Sequence, residues 1–422
     1  MKILFLAHRT PYPPNKGEKI RAFHFLSTLA KSHDVTLIYW VDDRQDLEHS
    51  QRLQSLCRGK VLPIRLNRPL AICRAALSLL RGRSFTEGFY GSRLYQRALD
   101  NALRDGCYDA VFVFSSAVAK YAERLDAKIK IVDFVDVDSD KWGQLAAVSA
   151  FPFSYLYRIE KERLARFEIG VSKWASRSLF ISKVEAELFK KNGGTGAIDF
   201  LPNGTDLDLR RLPLEQTPFH VAGARLVQPR GARLIFVGTM DYLPNIDAVR
   251  YFAQEVFPLV RREDPEAVFE IVGRGPTNAV MRLNKIDGVK VVGEVSDIRS
   301  HLVQADVSVA PMRIARGVQN KVLEAMALGV PVVATPVAIE GIEVRNEEEV
   351  LIGRDPEEIA AQIFRFLRDI ELRKSVTKKA WTRMHQLYNW DSIGASLERL
   401  LTASPSEMTV ERNSDGVSVA HR

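Results

Sequence analysis

Short apolar runs rich in β-branched residues alternate with longer helical patterns along most of this chain. The first series comprises "KILFLA", "DVTLIYW", "DAVFVF" and "KIKIVDFV". The second begins at "ARLIFVGTM" and continues through "AVFEIVG", "VKVVG", "ADVSVA" and "PVVAT". Because strands that alternate with helices pair in parallel, each series predicts a sheet with helices on both faces. We therefore expect an α/β protein with two doubly wound, Rossmann-like parallel-sheet domains.

The domain boundaries follow from length and composition. A chain of 422 residues exceeds what one hydrophobic core usually supports. Residues 205–232 are rich in Pro, Arg, Gln and Gly without clear periodicity, which is typical of a linker. This places an N-terminal domain at 1–204 and a C-terminal domain with its last helices at 233–401. The polar residues 402–422 are predicted to be a disordered tail.

The two halves open on similar segments. "LFLAHRTPYPPN" and "LIFVGTMDYLPN" both run from a buried strand through a loop to Pro-Asn, at Pro14-Asn15 and Pro244-Asn245. A helical pattern follows each of them. We expect both Pro-Asn pairs to mark the same place, between a strand and the next helix.

Charge and cysteine content limit the classes of partner. Sixty Lys and Arg against 52 Asp and Glu give a net charge of +8, which favours anionic partners. The basic residues are spread along the chain, so nucleic acid is not an expected partner. Cys57, Cys73 and Cys107 are widely spaced and are expected to be reduced. No signal-peptide pattern and no membrane-spanning run occurs, so a cytoplasmic, soluble or peripheral protein is expected.

The segment "GVQNKVLEAMALGVPVVAT", residues 317–335, combines two charges with an apolar background. It predicts a helix from about Val318 to Leu328, a capping glycine at Gly329 and a buried strand. Gly317 precedes the helix, and unpaired N–H groups at such a start attract phosphate. Lys321 and Glu324 lie three residues apart on one helix face.

Two interpretations of this pair are open. As a surface ion pair it would contribute only about 0.2–0.5 kcal/mol and need no ligand. The rest of the helix is nearly all apolar, however, and buried charges need partners. Lys321 could then neutralise a diphosphate, while Glu324 could accept hydrogen bonds from the two hydroxyls of a ribose. This second interpretation describes a nucleotide-diphosphate site.

The same residues resemble family 4 retaining glycosyltransferases of the GT-B fold. Those proteins carry a "K-x-x-E-A-M-A-x-G-x-P-V-V-A-T" run, matched here from Lys321 to Thr335. "VSVAPM", "VGEVSD", "ISKVEAELF" and "LPNGTD" extend the resemblance to about residue 400. "PYPPNKGEKIR" and "VDFVDVDSDKW" resemble the narrower group of sugar transferases associated with exopolysaccharide clusters in PEP-CTERM and exosortase bacteria.

The resemblance implies two domains that face each other across a cleft and a nucleotide-diphosphate sugar as donor. It assigns Glu324 to the ribose, the backbone at Gly317 and Val318 to the diphosphate and sugar, and Glu294 and Val295 to the base. The loop that contains Gly17, with Lys16 beside it, is expected to approach the phosphates or the sugar from the other domain.

The chain departs from the family pattern at two places. Arg316 stands where many members carry a glutamate that contacts the donor sugar. "GTMDYLPN" also lacks the Arg and Lys that often clamp the diphosphate. Lys321, together with Arg313, Arg316 or Arg274, is expected to supply that charge.

The first half contains further candidates after its predicted strands. Asp136, Asp138 and Ser139 follow "KIKIVDFV". They could contact the donor sugar or the acceptor, or they could simply cap a helix. Asp-Val-Asp imitates a metal-binding motif, but no second acidic or His cluster accompanies it, and no metal is expected. His8, at the end of the first strand, is a weaker candidate of the same kind.

Residues 141–177 are rich in aromatic and basic residues, which suits either core packing or contact with a membrane surface. The sequence as a whole predicts a glycosyltransferase in exopolysaccharide or cell-surface glycan synthesis, with Lys321, Glu324 and Asp136 in catalysis. The acceptor would be a glycan or a polyprenyl-linked sugar. The reaction would take place at the inner face of the membrane, and it would require no cofactor. The alternatives are an epimerase or phosphorylase on the same fold, or a non-catalytic sugar-binding protein.

Overall fold

A computed structural model describes residues 1–14, 17–43, 45–104, 106–205, 231–315 and 317–402. Five parts of the sequence predictions lie outside these residues. They are Asn15, Lys16, Arg316, most of the expected linker and nearly all of the expected tail.

The first sheet has seven parallel strands. They are β1 Lys2–Ala7, β2 Asp34–Val41, β3 Val61–Arg65, β4 Ala110–Phe114, β5 Ile129–Val135, β6 Arg177–Phe180 and β7 Ile198–Phe200. The spatial order is β3-β2-β1-β4-β5-β6-β7. The intervening helices are Gly17–Ser32, Gln45–Glu48, Ser50–Leu56, Arg68–Leu80, Phe85–Phe89, Arg93–Arg104, Asp138–Val148, Phe153–Trp174 and Lys183–Lys191, with a 3₁₀ turn at Ser116–Tyr121.

The second sheet has six parallel strands. They are β8 Arg233–Val237, β9 Val268–Val272, β10 Val289–Gly293, β11 Val307–Ala310, β12 Val332–Ala334 and β13 Leu351–Ile352, in the order β10-β9-β8-β11-β12-β13. The α-helices are Leu243–Tyr251, Phe257–Glu263, Asn278–Met281, Arg299–Leu302, Asn320–Ala327, Pro356–Arg368, Ile370–Leu387 and Trp390–Thr402. A π-helical segment at Phe252–Val256 and 3₁₀ turns at Arg282–Lys285 and Pro336–Ile339 complete the set.

Burial on both faces explains why these strands read as continuous apolar runs. The five residues of "AVFVF" in β4 are all buried, as are five of the six in β1. Helices cover both faces of a parallel sheet, so alternation of polar and apolar residues is lost. The prediction of two doubly wound α/β domains is confirmed.

The chain order reverses between β1 and β4 in the first sheet and between β8 and β11 in the second. Loops from such neighbouring strands diverge to opposite faces and leave a crevice at their carboxyl ends. Ligands of open α/β sheets bind at this position. His8 follows β1, and Met312 follows β11, so both lie beside a reversal point of their own sheet.

The chain divides into two compact units whose limits differ from the sequence prediction. The first comprises residues 1–180, 186–201 and, at the C-terminus, the described residues 394–402. The second comprises 181–185 and 202–393. The prediction had placed everything up to residue 401 in the second domain. Glu398 accounts for the difference, because its Oε2 lies 2.7 Å from His33 Nε2 of the first unit.

The glycine predicted to end the Lys321 helix does so. Gly329 has φ +68°, its N–H donates to Met326 O, and the N–H of Val330 donates to Ala325 O. This pair of bonds satisfies the last carbonyls of the helix and turns the chain into β12. Pro244 lies in the first turn of its helix, and Pro14 precedes the first-unit helix, which is described from Gly17. Asn15 lies outside the described residues, so the expected equivalence of the two Pro-Asn pairs stays a prediction.

Within the described part of the chain, no helix combines the length and the apolar character needed to cross a membrane.

Candidate functional site

Two loops of the second unit pass in direct contact at the carboxyl edge of its sheet. Gly238 follows β8 and Gly273 follows β9, where Gly273 has φ +149°. A Cβ at Gly273 would lie 1.7 Å from the carbonyl oxygen of Gly238, so only glycine fits there. The loops after β8 and β9 therefore touch at this edge of the sheet.

The ammonium of Lys321 lies among neutral groups. Its Nζ donates to Asn245 Oδ1 at 2.9 Å and to Gln319 Oε1 at 3.1 Å. It also lies 3.9 Å from Met312 Sδ and 5.1 Å from the ring centroid of Phe236 in β8. Met312 follows β11, so these contacts place the positive charge at the reversal point of the sheet.

Burial lowers the pKa of Lys321 to about 8, and the negative charge of Glu324 offsets only part of that effect. Lys321 is half-buried, and a cation in such a place with neutral hydrogen-bond partners remains poorly compensated. The arrangement therefore favours an anionic ligand, whose charge would restore the lysine pKa.

Asn245, which contacts Lys321, was not among the site residues predicted from the sequence. It is buried, donates from Nδ2 to Thr239 O at 2.9 Å, and accepts from Lys321 through Oδ1. Its two ends thus join the loop after β8 to the lysine. The signal in the sequence was the Pro244-Asn245 pair, which had been noticed only as a boundary mark.

The helix of Lys321 begins later than the sequence predicted. It spans Asn320–Ala327, and Gln319 is the N-cap residue with an extended backbone. The side chain of Gln319 donates from Nε2 to Gly317 O at 3.0 Å, and Gly317 has φ +66°. Gly317 therefore belongs to the preceding loop, and the N–H groups that open the helix are those of Asn320 and Lys321.

Glu324 and Val318 occupy the same neighbourhood. Glu324 lies one turn deeper than Lys321 on the same helix, where it is half-buried. Val318 is half-buried against the core of the second unit. The spacing of Lys321 and Glu324 on one face is therefore as expected, and the surface ion-pair interpretation does not describe this lysine.

The remaining predicted donor residues lie in other loops of the second unit. Arg274 is half-buried in the loop after β9, and its carbonyl accepts from the Met240 N–H at 2.8 Å. Glu294 is exposed and Val295 half-buried, both after β10. Arg316 lies outside the described residues.

Arg313 is already matched by a carboxylate. Its Nε donates to Asp247 Oδ2 at 3.0 Å and its Nη2 to Oδ1 at 2.5 Å, while its guanidinium lies 4.7 Å from the ring centroid of Tyr251. These contacts hold Arg313 against the helix Leu243–Tyr251. Lys321, with its neutral partners, is the better placed of the two for a diphosphate.

In the first unit, His8 and Gly17 adjoin a set of paired charges that the sequence did not reveal. His8 is buried, with Nε2 at 3.5 Å from Glu18 Oε2, and stacks on Phe114. Arg9 also pairs with Glu18, which directly follows Gly17 at the start of the first helix. Burial alone would raise the pKa of Glu18, but contacts from His8 and Arg9 lower this pKa to about 2. Lys16 lies outside the described residues.

Asp136 and Asp138 share one cation. Lys141 Nζ lies 2.8 Å from Asp136 Oδ2 and 2.9 Å from Asp138 Oδ1. Asp136 Oδ1 is buried and has no hydrogen-bond partner among the described residues. This oxygen can accept a hydrogen bond from a hydroxyl group of a bound sugar. The helix-capping alternative is not supported for this junction, because the N-cap residue of the helix Asp138–Val148 is Val137 and the cap has no side-chain hydrogen bond.

The backbone before Asp136 is strained. Val135 has φ +68° and Ser115, which follows the neighbouring strand β4, has φ +80°. A β-branched residue is rare in this region, and such outliers concentrate at functional sites. Both residues stand at strand ends, beside the position where ligands of open sheets bind.

Ser139 contacts a buried carboxyl instead of open space. Its backbone N–H lies 3.4 Å from Glu168 Oε1, and Ser139 itself is buried. Burial, together with the charge of Asp138, raises the pKa of Glu168 to about 8. Glu168 therefore supports the first turn of the helix that carries Asp138.

Residues 231–369, which contain the Lys321 cluster, match the protein family described as Glycosyl transferases group 1. Over a longer span, the chain is 24% identical over 413 residues to an uncharacterized 44.6 kDa protein in the cps region of Klebsiella pneumoniae. That alignment covers 94% of this chain and 98% of the relative.

Solved structures share the fold of nearly the whole chain. HepE of Anabaena, in complex with UDP and glucose, has a TM-score of 0.64 at 14% identity, covering 96% of this chain and 100% of that one. Sucrose-phosphate synthase from Thermosynechococcus elongatus has a TM-score of 0.67 at 20% identity, with 95% and 98% coverage. These likenesses show the GT-B fold that the sequence motifs had suggested.

Proposed function

We propose that this chain, whose residues 231–369 match the group 1 glycosyltransferases, transfers a sugar from a nucleotide-diphosphate sugar to a glycan or polyprenyl-linked acceptor. The observation that carries the proposal is the Lys321 ammonium, which lies at the reversal point of the second sheet among neutral partners. A diphosphate is the ligand that best compensates such a cation.

The second unit would hold the donor. Glu324 would accept hydrogen bonds from the ribose hydroxyls, and the backbone at Gly317 and Val318 would approach the diphosphate. Glu294 and Val295 would border the base. Support comes from the positions of these residues, which all lie at or beyond the carboxyl ends of β10 and β11 or on the helix that follows.

Further cations would assist at the donor site. Arg316 would contact the donor sugar in place of the glutamate of its relatives. Arg274 and Arg313 would contribute positive potential without direct contact, because the guanidinium of Arg313 is held by Asp247.

The first unit would supply the groups that meet the transferred sugar and the acceptor. Asp136 has a buried carboxylate oxygen without a described partner, at the end of a strained strand. We assign it to the donor sugar or the acceptor hydroxyl. Asp138, Ser139 and His8 would shape the same region, while Gly17 and Lys16 would approach the phosphates.

Catalysis in this proposal is electrostatic and positional. The bond between the anomeric carbon and the diphosphate oxygen breaks, a new bond forms from the acceptor hydroxyl oxygen to the same carbon, and the hydroxyl proton passes to the departing diphosphate. Lys321 and the first N–H groups of its helix would stabilise the negative charge that develops on the departing diphosphate. The transfer would proceed with retention of configuration, and it needs no cofactor besides the donor substrate.

The relatives support a place for the reaction in the cell. A relative in a cps region supports a role in surface polysaccharide synthesis. HepE is seen with UDP and glucose, which makes UDP-sugars the first donors to test. Such an acceptor would be met at the cytoplasmic face of the membrane.

Donor binding is tested by thermal shift with UDP-, GDP- and dTDP-sugars. A ligand at 100-fold excess over its Kd should add about 2.7 kcal/mol to the free energy of unfolding. Glu324→Ala should weaken that ligand roughly 100-fold, because two hydroxyl contacts to a charged group are lost. Glu371→Ala, which removes an exposed carboxylate on another helix, is the matched control and should bind as wild type.

The outcome that contradicts the donor site is unchanged affinity in Glu324→Ala, or no shift with any nucleotide sugar. Product analysis then separates the chemistry. Transfer to an acceptor supports the proposal, and the anomeric coupling of the product reports retention. An epimerised nucleotide sugar, or a sugar phosphate formed from inorganic phosphate, would replace the proposal by one of its alternatives.

A further inference from the structure

The helix Arg68–Leu80 of the first unit exposes its large apolar side chains and buries its small ones. Ala71, Ala75 and Ser78 face inward, whereas Leu70, Ile72, Leu77 and Leu80 are 57%, 53%, 45% and 85% exposed. A surface helix of a globular protein normally turns its large apolar residues toward the core. We call the four exposed side chains the Leu80 face.

The inward side of this helix explains the choice of small residues. It packs against the helix Phe85–Phe89, where a Cβ added to Gly88 would lie 2.4 Å from Ser78 Cβ and 2.7 Å from Ala75 Cα. Two backbones this close leave no room for leucine between them. The large residues on the opposite side are therefore dispensable for this packing, and their exposure calls for a different explanation.

The charged residues of the chain segment that contains the Leu80 face have one sign. Residues 58–86 contain seven Lys or Arg and no Asp or Glu, against a net charge of +8 for the whole chain. Basic residues are thus denser here than their spread along the sequence had suggested. Arg65, Arg68, Arg81 and Arg83 flank the face, all exposed, and make no ion pair with any residue that the structure describes.

We propose that the Leu80 face and its flanking arginines bind the surface of an anionic lipid bilayer. The four apolar side chains would enter the boundary between headgroups and acyl chains, while the arginines would meet lipid phosphates. The helix has 13 residues, too few to span a bilayer, so it would lie in the plane of the interface.

Two other occupants fit these observations less well. A second copy of this chain would bring the same arginines opposite each other across a symmetric interface, which costs free energy by repulsion of like charges. Nucleic acid would match the charge, but single strands bind mainly by stacking on aromatic rings, and the Leu80 face is wholly aliphatic.

The proposal places membrane contact at a different element from the one suggested by sequence. Phe151, Phe153 and Tyr155, within the aromatic and basic segment 141–177, are also exposed, at 82%, 58% and 59%. That segment contains acidic residues as well, so its charge is mixed. The role of the Leu80 face in the reaction rests on the proposed function, in which the acceptor is lipid-linked. Lipid binding itself is measured without donor or acceptor. The two proposals can therefore fail separately.

The first experiment measures co-sedimentation of the full chain with vesicles of phosphatidylcholine alone or of equal parts phosphatidylcholine and phosphatidylglycerol. We expect wild type to bind the anionic vesicles. Leu77→Gln/Leu80→Gln should partition at least about tenfold more weakly, since two leucines that would enter the bilayer are lost. Leu94→Gln/Leu103→Gln, at exposed leucines of the helix Arg93–Arg104, is the matched control and should bind as wild type.

The arginines are tested by Arg81→Gln/Arg83→Gln. Each basic residue near an anionic surface contributes a factor of about five to partitioning, so the double variant should bind roughly 25-fold less and depend less on salt. Thermal unfolding of every variant checks that the fold is intact. Retained UDP-sugar binding in these variants would show that a loss of vesicle binding is independent of the donor site.

Two exposed cysteines provide a positional readout. Cys73 lies on the helix Arg68–Leu80, and Cys107 lies elsewhere in the first unit. A polarity-sensitive fluorophore at Cys73 in Cys107→Ser should shift to the blue on anionic vesicles, whereas one at Cys107 in Cys73→Ser should not.

Several results would overturn the proposal. One is that wild type does not bind anionic vesicles, or that Leu77→Gln/Leu80→Gln binds as well as wild type. Another is that Phe153→Ser alone abolishes binding, which would assign the contact to the segment 141–177. A third is that light scattering shows a dimer which Leu77→Gln/Leu80→Gln dissociates, while vesicle binding is unchanged.

Discussion

The charged groups of the two units are compensated in different ways. In the first unit, Arg21 and Asp133 form a fully buried pair, with Nε at 2.7 Å from Oδ2, and Lys141 binds both Asp136 and Asp138. In the second unit, the described hydrogen-bond partners of the Lys321 ammonium are uncharged side chains.

This difference bears on what each unit can bind. A buried ion pair has already exchanged solvation for its partner, so an incoming anion would have to displace a carboxylate. The Lys321 ammonium has neutral hydrogen-bond partners and is compensated only in part by Glu324, so it still gains from an anionic ligand such as a diphosphate. The comparison thus favours an anionic ligand at Lys321 and uncharged hydroxyl groups at Asp136.

Asn245→Asp should remove this contrast and produce the largest effect. It would place a carboxylate within hydrogen-bond distance of Lys321, where Oδ1 of Asn245 now lies 2.9 Å from Nζ. The new pair would cancel the positive field at the diphosphate, so UDP affinity should fall by about 100-fold. Isothermal titration calorimetry with UDP measures the change.

Asn245→Ala is the control for this substitution. It removes the same hydrogen bonds, to Lys321 and to Thr239, without adding a charge. We expect a loss of UDP affinity of about tenfold, smaller than for the aspartate variant. If the aspartate variant bound UDP as tightly as wild type, the neutral surroundings of Lys321 would have no part in donor binding.

The central strands of both sheets could be predicted from sequence because their burial on two faces makes them long and apolar. β3, β6, β7 and β13 could not, although the edge strand β10 and the short β12 were predicted. β3 contains Pro63, which an edge strand tolerates, β6 begins with the polar Arg177 and Ser178, and β13 has only two residues. Their pairing depends on the neighbouring strand more than on local propensity.

The candidate site was predictable only along one helix. The spacing of Lys321 and Glu324 follows from helix geometry, but the contact of Lys321 with Asn245 joins residues 76 positions apart and depends on the fold. The start of that helix was predicted too early because apolar Val318 continues its pattern. The sequence does not show that Gln319 has an extended backbone and bonds back to Gly317.

A change of pH should alter UDP affinity less than the Asn245→Asp substitution does. Lys321 has a pKa of about 8, so its charge is lost as pH rises through that value. UDP is fully ionised above neutral pH, and its affinity should therefore fall by roughly tenfold between pH 7.5 and 9.5. Calorimetric titrations across this range measure the effect.

The contribution of Lys321 to folding stability rises with pH, whereas UDP affinity falls. A fall in affinity therefore cannot be a consequence of a less stable fold at this lysine. The folded pKa of Lys321 lies below the ordinary lysine value of 10.5, so between about pH 8 and 10.5 the unfolded chain binds more protons. The contribution of this group to the free energy of unfolding therefore rises over that range. Lys321→Arg keeps its charge and should bind UDP with little pH dependence. An equally steep decline in Lys321→Arg would assign the titration to another group.

The smallest effect is expected at Arg313, which tests whether a cation with a carboxylate partner behaves like those of the first unit. Its pairing with Asp247 is half exposed, so Arg313→Gln should cost under about 1 kcal/mol of stability. Because Asp247 already neutralises this guanidinium, UDP affinity should change by less than about threefold. Asp247→Asn is the complementary variant. It removes the nearer carboxylate partner of Arg313 and leaves Glu255, at 3.8 Å, so it should strengthen UDP binding only slightly, at low salt. A loss of UDP affinity in Arg313→Gln as large as in Asn245→Asp would mean that paired and unpaired cations serve the diphosphate alike.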